Sequence, residues 1–229
     1  MGSTRATELP APIWQYRPAS LPNGCFVEAV VFADWYMTKE FDGPKTWAKP
    51  VFITAWVGSR SFAHAVAIFQ WRGRYYLWDA EWGAMPLRMD RYKGRPGITL
   101  AGFAELTYRD ALEGKLAKAQ QGPAPQPLLH LSWPPGLDVL GWAEQRLGST
   151  RPTFRLVIAT PDGERRMLGF VVQEEMFLYN EEKGTVGGKI TGDPTKHLHE
   201  LARRIYPQVK DIRLSALKTP AQGAAGSGR

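Results

Sequence analysis

Three residues of this chain have the types and the order that nucleophilic chemistry needs: Cys25, His64 and Asp79. Cys25 lies in Leu21-Pro-Asn-Gly-Cys25-Phe-Val-Glu28, His64 in Ala63-His64-Ala-Val-Ala67, and Asp79 in Leu77-Trp-Asp79-Ala-Glu-Trp-Gly83. A thiol attacks a carbonyl as its thiolate, so it needs a base, and the base needs a group that fixes its imidazole tautomer. Cys25 is the only cysteine among 229 residues, so no other thiol competes for the role. It stands where a helix should begin, a position whose free N–H groups and dipole favour an anion. Its own N–H would point toward an oxyanion on the attacked carbonyl. The bland alternative is a buried small hydrophobe, and the Pro-Asn-Gly loop ahead of Cys25 argues against it.

The elements that must position these residues are legible from composition. From Cys25 to Glu40 there is no Pro or Gly, and apolar residues fall on nearly every face. Such a segment is a buried central helix, capped by Asn23 or Gly24 and stopped by Asp42-Gly-Pro44. Residues 50–57, 62–71 and 74–79 are rich in strand formers, with Arg72-Gly73 as a tight turn between the last two. A helix is expected over 103–120, then a Pro-rich connector at Gly122–Pro127. Beyond it the pattern predicts a strand at 127–133, a helix at 137–147 and strands at 154–160, 166–172, 176–179, 185–191 and 211–217. A helix opens at Asp193-Pro194. The domain expectation is therefore a catalytic core over 8–121, an accessory α+β region over 126–217 and a disordered tail over 218–229.

The hairpin is checked by register. A two-residue turn at Arg72-Gly73 pairs Trp71 with Arg74, which sets Val66 opposite Asp79 and His64 opposite Glu81. His64 and Asp79 are then diagonal neighbours on one face, roughly 7–8 Å apart at Cα, with Glu81 as a backup orienter. A three-residue turn would put them on opposite faces.

On these residues the chain resembles the papain-like cysteine peptidases. His64-Ala-Val-Ala, a short hairpin and Asp79-Ala-Glu-Trp-Gly83 are similar to their His-strand and their Asn/Asp-strand. The separations, 39 residues from Cys to His and 15 from His to Asp, are closer to bacterial transglutaminase-like cysteine peptidases and arylamine N-acetyltransferases. The resemblance covers roughly residues 20–90. It implies an α+β fold with a buried N-terminal helix carrying the cysteine, packed on an antiparallel sheet; the C-terminal half reads as mixed α/β from its own pattern, with residues 127–217 either extending that sheet or forming a small mixed domain. It implies Cys25 as nucleophile, His64 as base and acid, and Asp79 as orienter. Gln15, ten residues upstream of Cys25, and Asn23 are the candidate side-chain donors to the oxyanion. The activity implied is acyl chemistry on a protein or peptide amide, isopeptide or thioester, by a hydrolase or a transferase. The alternative is an inactive scaffold that binds protein or nucleic acid.

The remaining signals are bland. The net charge of +7 is spread, with 16 basic and 13 acidic residues in 1–150 against 13 and 9 in 151–229. A mildly basic solvated surface is favoured over a nucleic-acid partner. No apolar run reaches bilayer length, the start lacks the apolar core of a signal peptide, and a lone cysteine fits a reducing compartment. A cytoplasmic protein without membrane attachment is expected. Gly184-Thr-Val-Gly-Gly188-Lys189-Ile misses the phosphate-loop spacing and reads as a hairpin turn. His197 and His199, two apart on a helix, point to different faces, so neither a zinc site nor another cofactor is expected. His130 is the rival catalytic histidine, without a downstream Asp-x-x-Trp-Gly. Trp78 or Trp82 could wall a cleft, and Glu28 reads as a first-turn acid.

Overall fold

The computed structural model describes residues 9–11, 13, 16, 24–41, 43, 46–57, 60–89, 98–119, 130–132, 140, 141, 143, 144 and 153–216. It is α+β, in two units, Met1–Gly136 and Leu137–Arg229.

In the first unit, helix α1 (Cys25–Thr38) follows Gly24, which has no side chain to cap it. Left-handed backbone at Glu40 and Gly43 lies just past its end. Strands β1 (Trp47–Val57), β2 (Arg60–Trp71), β3 (Arg74–Asp79), β4 (Gly83–Pro86) and β5 (His130–Ser132) form an antiparallel sheet in the order β4-β3-β2-β1-β5. Alternation divides its side chains between two covers. Phe52, Phe69 and Trp78 face α1, where Phe26 stacks on Phe52 at 5.4 Å and Phe32 on Trp78 at 4.3 Å between centroids. Val51, Ile53, Val66, Ile68 and Leu77 face the other way, against Ala104, Tyr108 and Leu112 of helix α2 (Leu100–Ala119).

The β2–β3 turn is the two-residue one. Arg72 (φ 49°) and Gly73 (φ 73°) both have positive φ, as a type I′ turn requires. Trp71 pairs with Arg74, and the ladder ends at Ala67 opposite Trp78. Positive φ at a non-glycine residue is costly; the Arg72 guanidinium lies 4.5 Å from the Trp71 ring centre, a cation–π contact that offsets part of the strain.

The second unit has its own antiparallel sheet. Strands β6 (Thr153–Thr160), β7 (Gly163–Val172), β8 (Glu175–Asn180), β9 (Gly184–Lys189) and β10 (Asp211–Ala216) run in the order β10-β6-β7-β8-β9. Helix α3 (Pro194–Ile205) buries Leu198, Leu201 and Ala202 against Leu156, Met167 and Leu178. Asp193 caps it by accepting the Thr195 N–H at 2.8 Å. At Gly169 of β7 a Cβ would come within 3.0 Å of Leu198, so glycine lets the helix lie close.

Two expectations are corrected. The strand expected at 127–133 does not open the C-terminal region; it is β5, paired with β1, because its hydrogen-bond partners Thr54 to Trp56 lie in the first sheet. The division accordingly falls at Gly136/Leu137, past the Pro-rich connector. Gly184–Lys189 is strand throughout, in line with the strand expected at 185–191, so the hairpin turn read in this glycine run lies just before it, at residues 181–183, and Gly188 is held in the β8–β9 ladder. Positions 140, 141, 143 and 144 are helical, while residues 218–229 lie outside the described residues. No helix among the described residues is long and apolar enough to cross a membrane.

Phe32 is fully buried where α1 meets β3, one residue from Asp79 through Trp78. Phe32→Ala should cost about 3–5 kcal/mol of stability in urea unfolding; a loss under 1 kcal/mol would contradict this packing.

Candidate active site

The site forms where β2 outruns β3. His64 lies opposite Ile53 of β1, beyond the last β2–β3 pair. Asp79 ends β3 on the same α2-facing side of the sheet as Leu77. The turn after Asp79 brings the chain back into β4 at Gly83, whose φ of 74° suits only glycine without strain. His64 Nε2 and Asp79 Oδ2 are 2.5 Å apart. The other carboxylate oxygen, Oδ1, accepts the N–H groups of Glu81 at 2.8 Å and Trp82 at 3.1 Å. One buried carboxylate thus closes its own turn and holds the imidazole.

Cys25, the first residue of α1, is partly exposed, and its side chain lies close enough to His64 to bear on the charge of the imidazole. With Nε2 on the carboxylate, Nδ1 is the ring nitrogen left for the thiol. The three residues singled out in the sequence therefore meet at one imidazole, which is 24% exposed.

The electrostatics follow from this geometry. Burial presses the imidazole toward its neutral form. Hydrogen bonds to Asp79 and Cys25, with the negative charge of each, outweigh it and raise the His64 pKa from 6.5 to about 9. Burial pushes the Asp79 carboxyl up, but the His64 hydrogen bond and charge and the Trp82 and Glu81 N–H groups bring it below the ordinary carboxylate value.

The other candidates are placed as follows. Glu81 is exposed and meets Asp79 through its backbone N–H, so the carboxylate that holds His64 is that of Asp79. Gln15 and Asn23 lie outside the described residues. His130 sits on β5 opposite Trp56, while Asp79 is committed to His64. Trp78 is 1% exposed and belongs to the α1 core, not to a cleft wall. Trp82 is partly exposed and lies on the site's side, its ring 5.0 Å from that of Tyr108. Glu28 is buried in the first turn of α1. His197 is buried against β9, 3.3 Å from the Gly188 carbonyl. Among the described residues no three His, Cys, Asp or Glu side chains converge as a metal site.

Sequence reasoning passed over Tyr108 of α2, which is 4% exposed, with its ring 5.6 Å from that of His64. Its signal was the i, i+4, i+8 stripe Ala104, Tyr108, Leu112, which marks the inward face of that helix.

A histidine with a raised folded pKa stabilises the fold fully below its unfolded value near 6.5 and loses that contribution as pH rises through about 9. The lowered Asp79 carboxyl contributes above its ordinary value and loses its contribution as pH falls. Urea unfolding should show stability declining between pH 6.5 and 9.5, and His64→Ala should flatten that limb. An identical slope in both proteins would contradict the pairing.

No protein-family model matches the chain, and no curated protein or solved structure matches it significantly.

Proposed function

We propose that the chain is a cysteine-dependent acyl-transfer enzyme of papain-like or transglutaminase-like design, acting on an amide, isopeptide or thioester of a protein or peptide. One observation carries this reading: a partly exposed thiol at a helix start lies beside an imidazole whose Nε2 is held by a buried carboxylate. A structural cysteine has no need of that relay, whereas a nucleophile does.

In the proposed reaction the proton shared by Cys25 and His64 rests on the imidazole, and the sulfur attacks the substrate carbonyl as its thiolate, forming a C–S bond and an oxyanion. The Cys25 N–H, at the start of α1, is the backbone donor for that oxyanion. Collapse of the tetrahedral intermediate breaks the bond to the leaving amine or thiol, which receives the proton from His64. A thioester remains on Cys25. Water or an amine then attacks it with His64 as base, which releases the acyl group and restores the thiol. Asp79 keeps the imidazole oriented toward sulfur and stabilises the imidazolium, which gives its proton to the leaving group and regains one in deacylation. A lone thiol that must stay reduced suits the cytoplasm.

An activated acyl ester, p-nitrophenyl acetate, serves as probe, because the first half-reaction is common to hydrolase and transferase. Intact-protein mass spectrometry should show one acetyl group on the wild type and none on Cys25→Ser. His64→Ala should slow acylation about 10²–10⁴-fold. Equal rates in wild type and His64→Ala would overturn the enzymatic reading and leave a binding scaffold.

A further inference from the structure

The imidazole at the centre of the site has a ring neighbour as well as its partners at nitrogen, and that neighbour comes from α2. Tyr108 sits on that helix between Ala104 and Leu112, all three buried against Val66, Ile68 and Leu77 of the sheet. Its ring centre is 5.6 Å from that of His64, with the planes inclined at 35°. It also meets Trp82 at 5.0 Å, and Trp82 gives its backbone N–H to Asp79. The three rings run in a chain, His64–Tyr108–Trp82, that begins and ends on groups bonded to one carboxylate.

The helix is fixed at this point. Thr107, the preceding residue, is buried; its hydroxyl donates to the Phe103 carbonyl at 2.8 Å and accepts the Arg88 N–H at 3.3 Å. Arg88 follows β4 closely, so α2 is tied to the end of the hairpin that carries Asp79 and Trp82. Tyr108 is therefore a wall set by two anchors.

We propose that Tyr108 is a positioning residue for His64: its ring holds the imidazole in the rotamer that joins Asp79 to Cys25, and its π face favours the imidazolium. This rests on the acyl-transfer reading of the site. A cation within about 6 Å of a tyrosine ring centre is attracted by the ring's quadrupole, more strongly when desolvated. The groups that face the pair are Asp79 and Cys25 on His64, and Asp79, Glu81 and Cys25 around Tyr108. Burial first, and then these three negative groups, raise the Tyr108 phenol, which keeps it neutral beside the imidazole. Its contribution is the ring rather than the hydroxyl, so phenylalanine should substitute and an aliphatic side chain should not.

The experiment is the pH–rate profile of Cys25 alkylation by iodoacetamide in wild type, His64→Ala, Tyr108→Phe, Tyr108→Leu and Tyr108→Met. Circular dichroism reports folding of each variant. Tyr108→Phe should keep the wild-type profile. Tyr108→Leu and Tyr108→Met, which fill volume without a π face, should move the acid limb to higher pH and slow alkylation at pH 6 about 3- to 10-fold. In wild type, a nuclear Overhauser contact between the Tyr108 ring and the His64 imidazole should be present whether or not the aliphatic variants fold. A wild-type profile that matches His64→Ala overturns the acyl-transfer reading itself. A His64-dependent profile that Leu or Met leaves unchanged, or the absence of the ring–ring contact, overturns the role of Tyr108 alone.

Discussion

Asp79 is a buried carboxylate that accepts three hydrogen bonds, and the site is organised around satisfying it. Two come from the turn that Asp79 itself opens, through the N–H groups of Glu81 and Trp82, and the third is the His64 imidazole. An ionised carboxylate 2% exposed would be costly without such partners. With them, its charge becomes the field that keeps His64 protonated against burial. The turn and the base are consequently coupled: whatever shifts the chain between β3 and β4 also shifts the acceptor that orients the imidazole.

The architecture serves that carboxylate from both sides of one sheet. Aromatic packing of Phe26, Phe32 and Tyr36 seats α1 on one face, so that its first residue delivers the thiol to the ring. On the opposite face, α2 lays Tyr108 against the same ring, pinned there by Thr107. The early end of the β2–β3 ladder leaves room for His64 to meet groups from α1, β3 and α2. The sheet of the second unit is built on the same two-periodic alternation, with α3 filling the side that Gly169 opens.

The hairpin and its consequence were legible in the sequence because they depend on local chemistry. Arg72-Gly73 between two strand-forming runs specifies a two-residue turn, and the turn alone fixes which residues of β2 and β3 share a face. The same alternation assigns Trp78 to the face opposite Asp79, so its core position follows once Asp79 is given to the site. What was not legible depends on long-range packing. Nothing near His130 indicates that β5 returns to β1, more than seventy residues back in the chain. Tyr108 lies 44 positions past His64, and only the docking of α2 brings the rings together. The stripe of α2 tells which side of the helix faces inward, not which strand residues it meets.

Asp79 and His64 act as one proton-holding unit beside Cys25. The most direct test is an ¹⁵N NMR titration of the His64 imidazole in wild type and in Asp79→Asn, with the resonance assigned from His64→Ala. The asparagine retains an oxygen for the Glu81 and Trp82 N–H groups but offers His64 no charge. Wild-type His64 should stay protonated until about pH 9, and in Asp79→Asn it should deprotonate at markedly lower pH. A wild-type His64 that titrates near 6.5, unmoved by Asp79→Asn, would contradict the pairing.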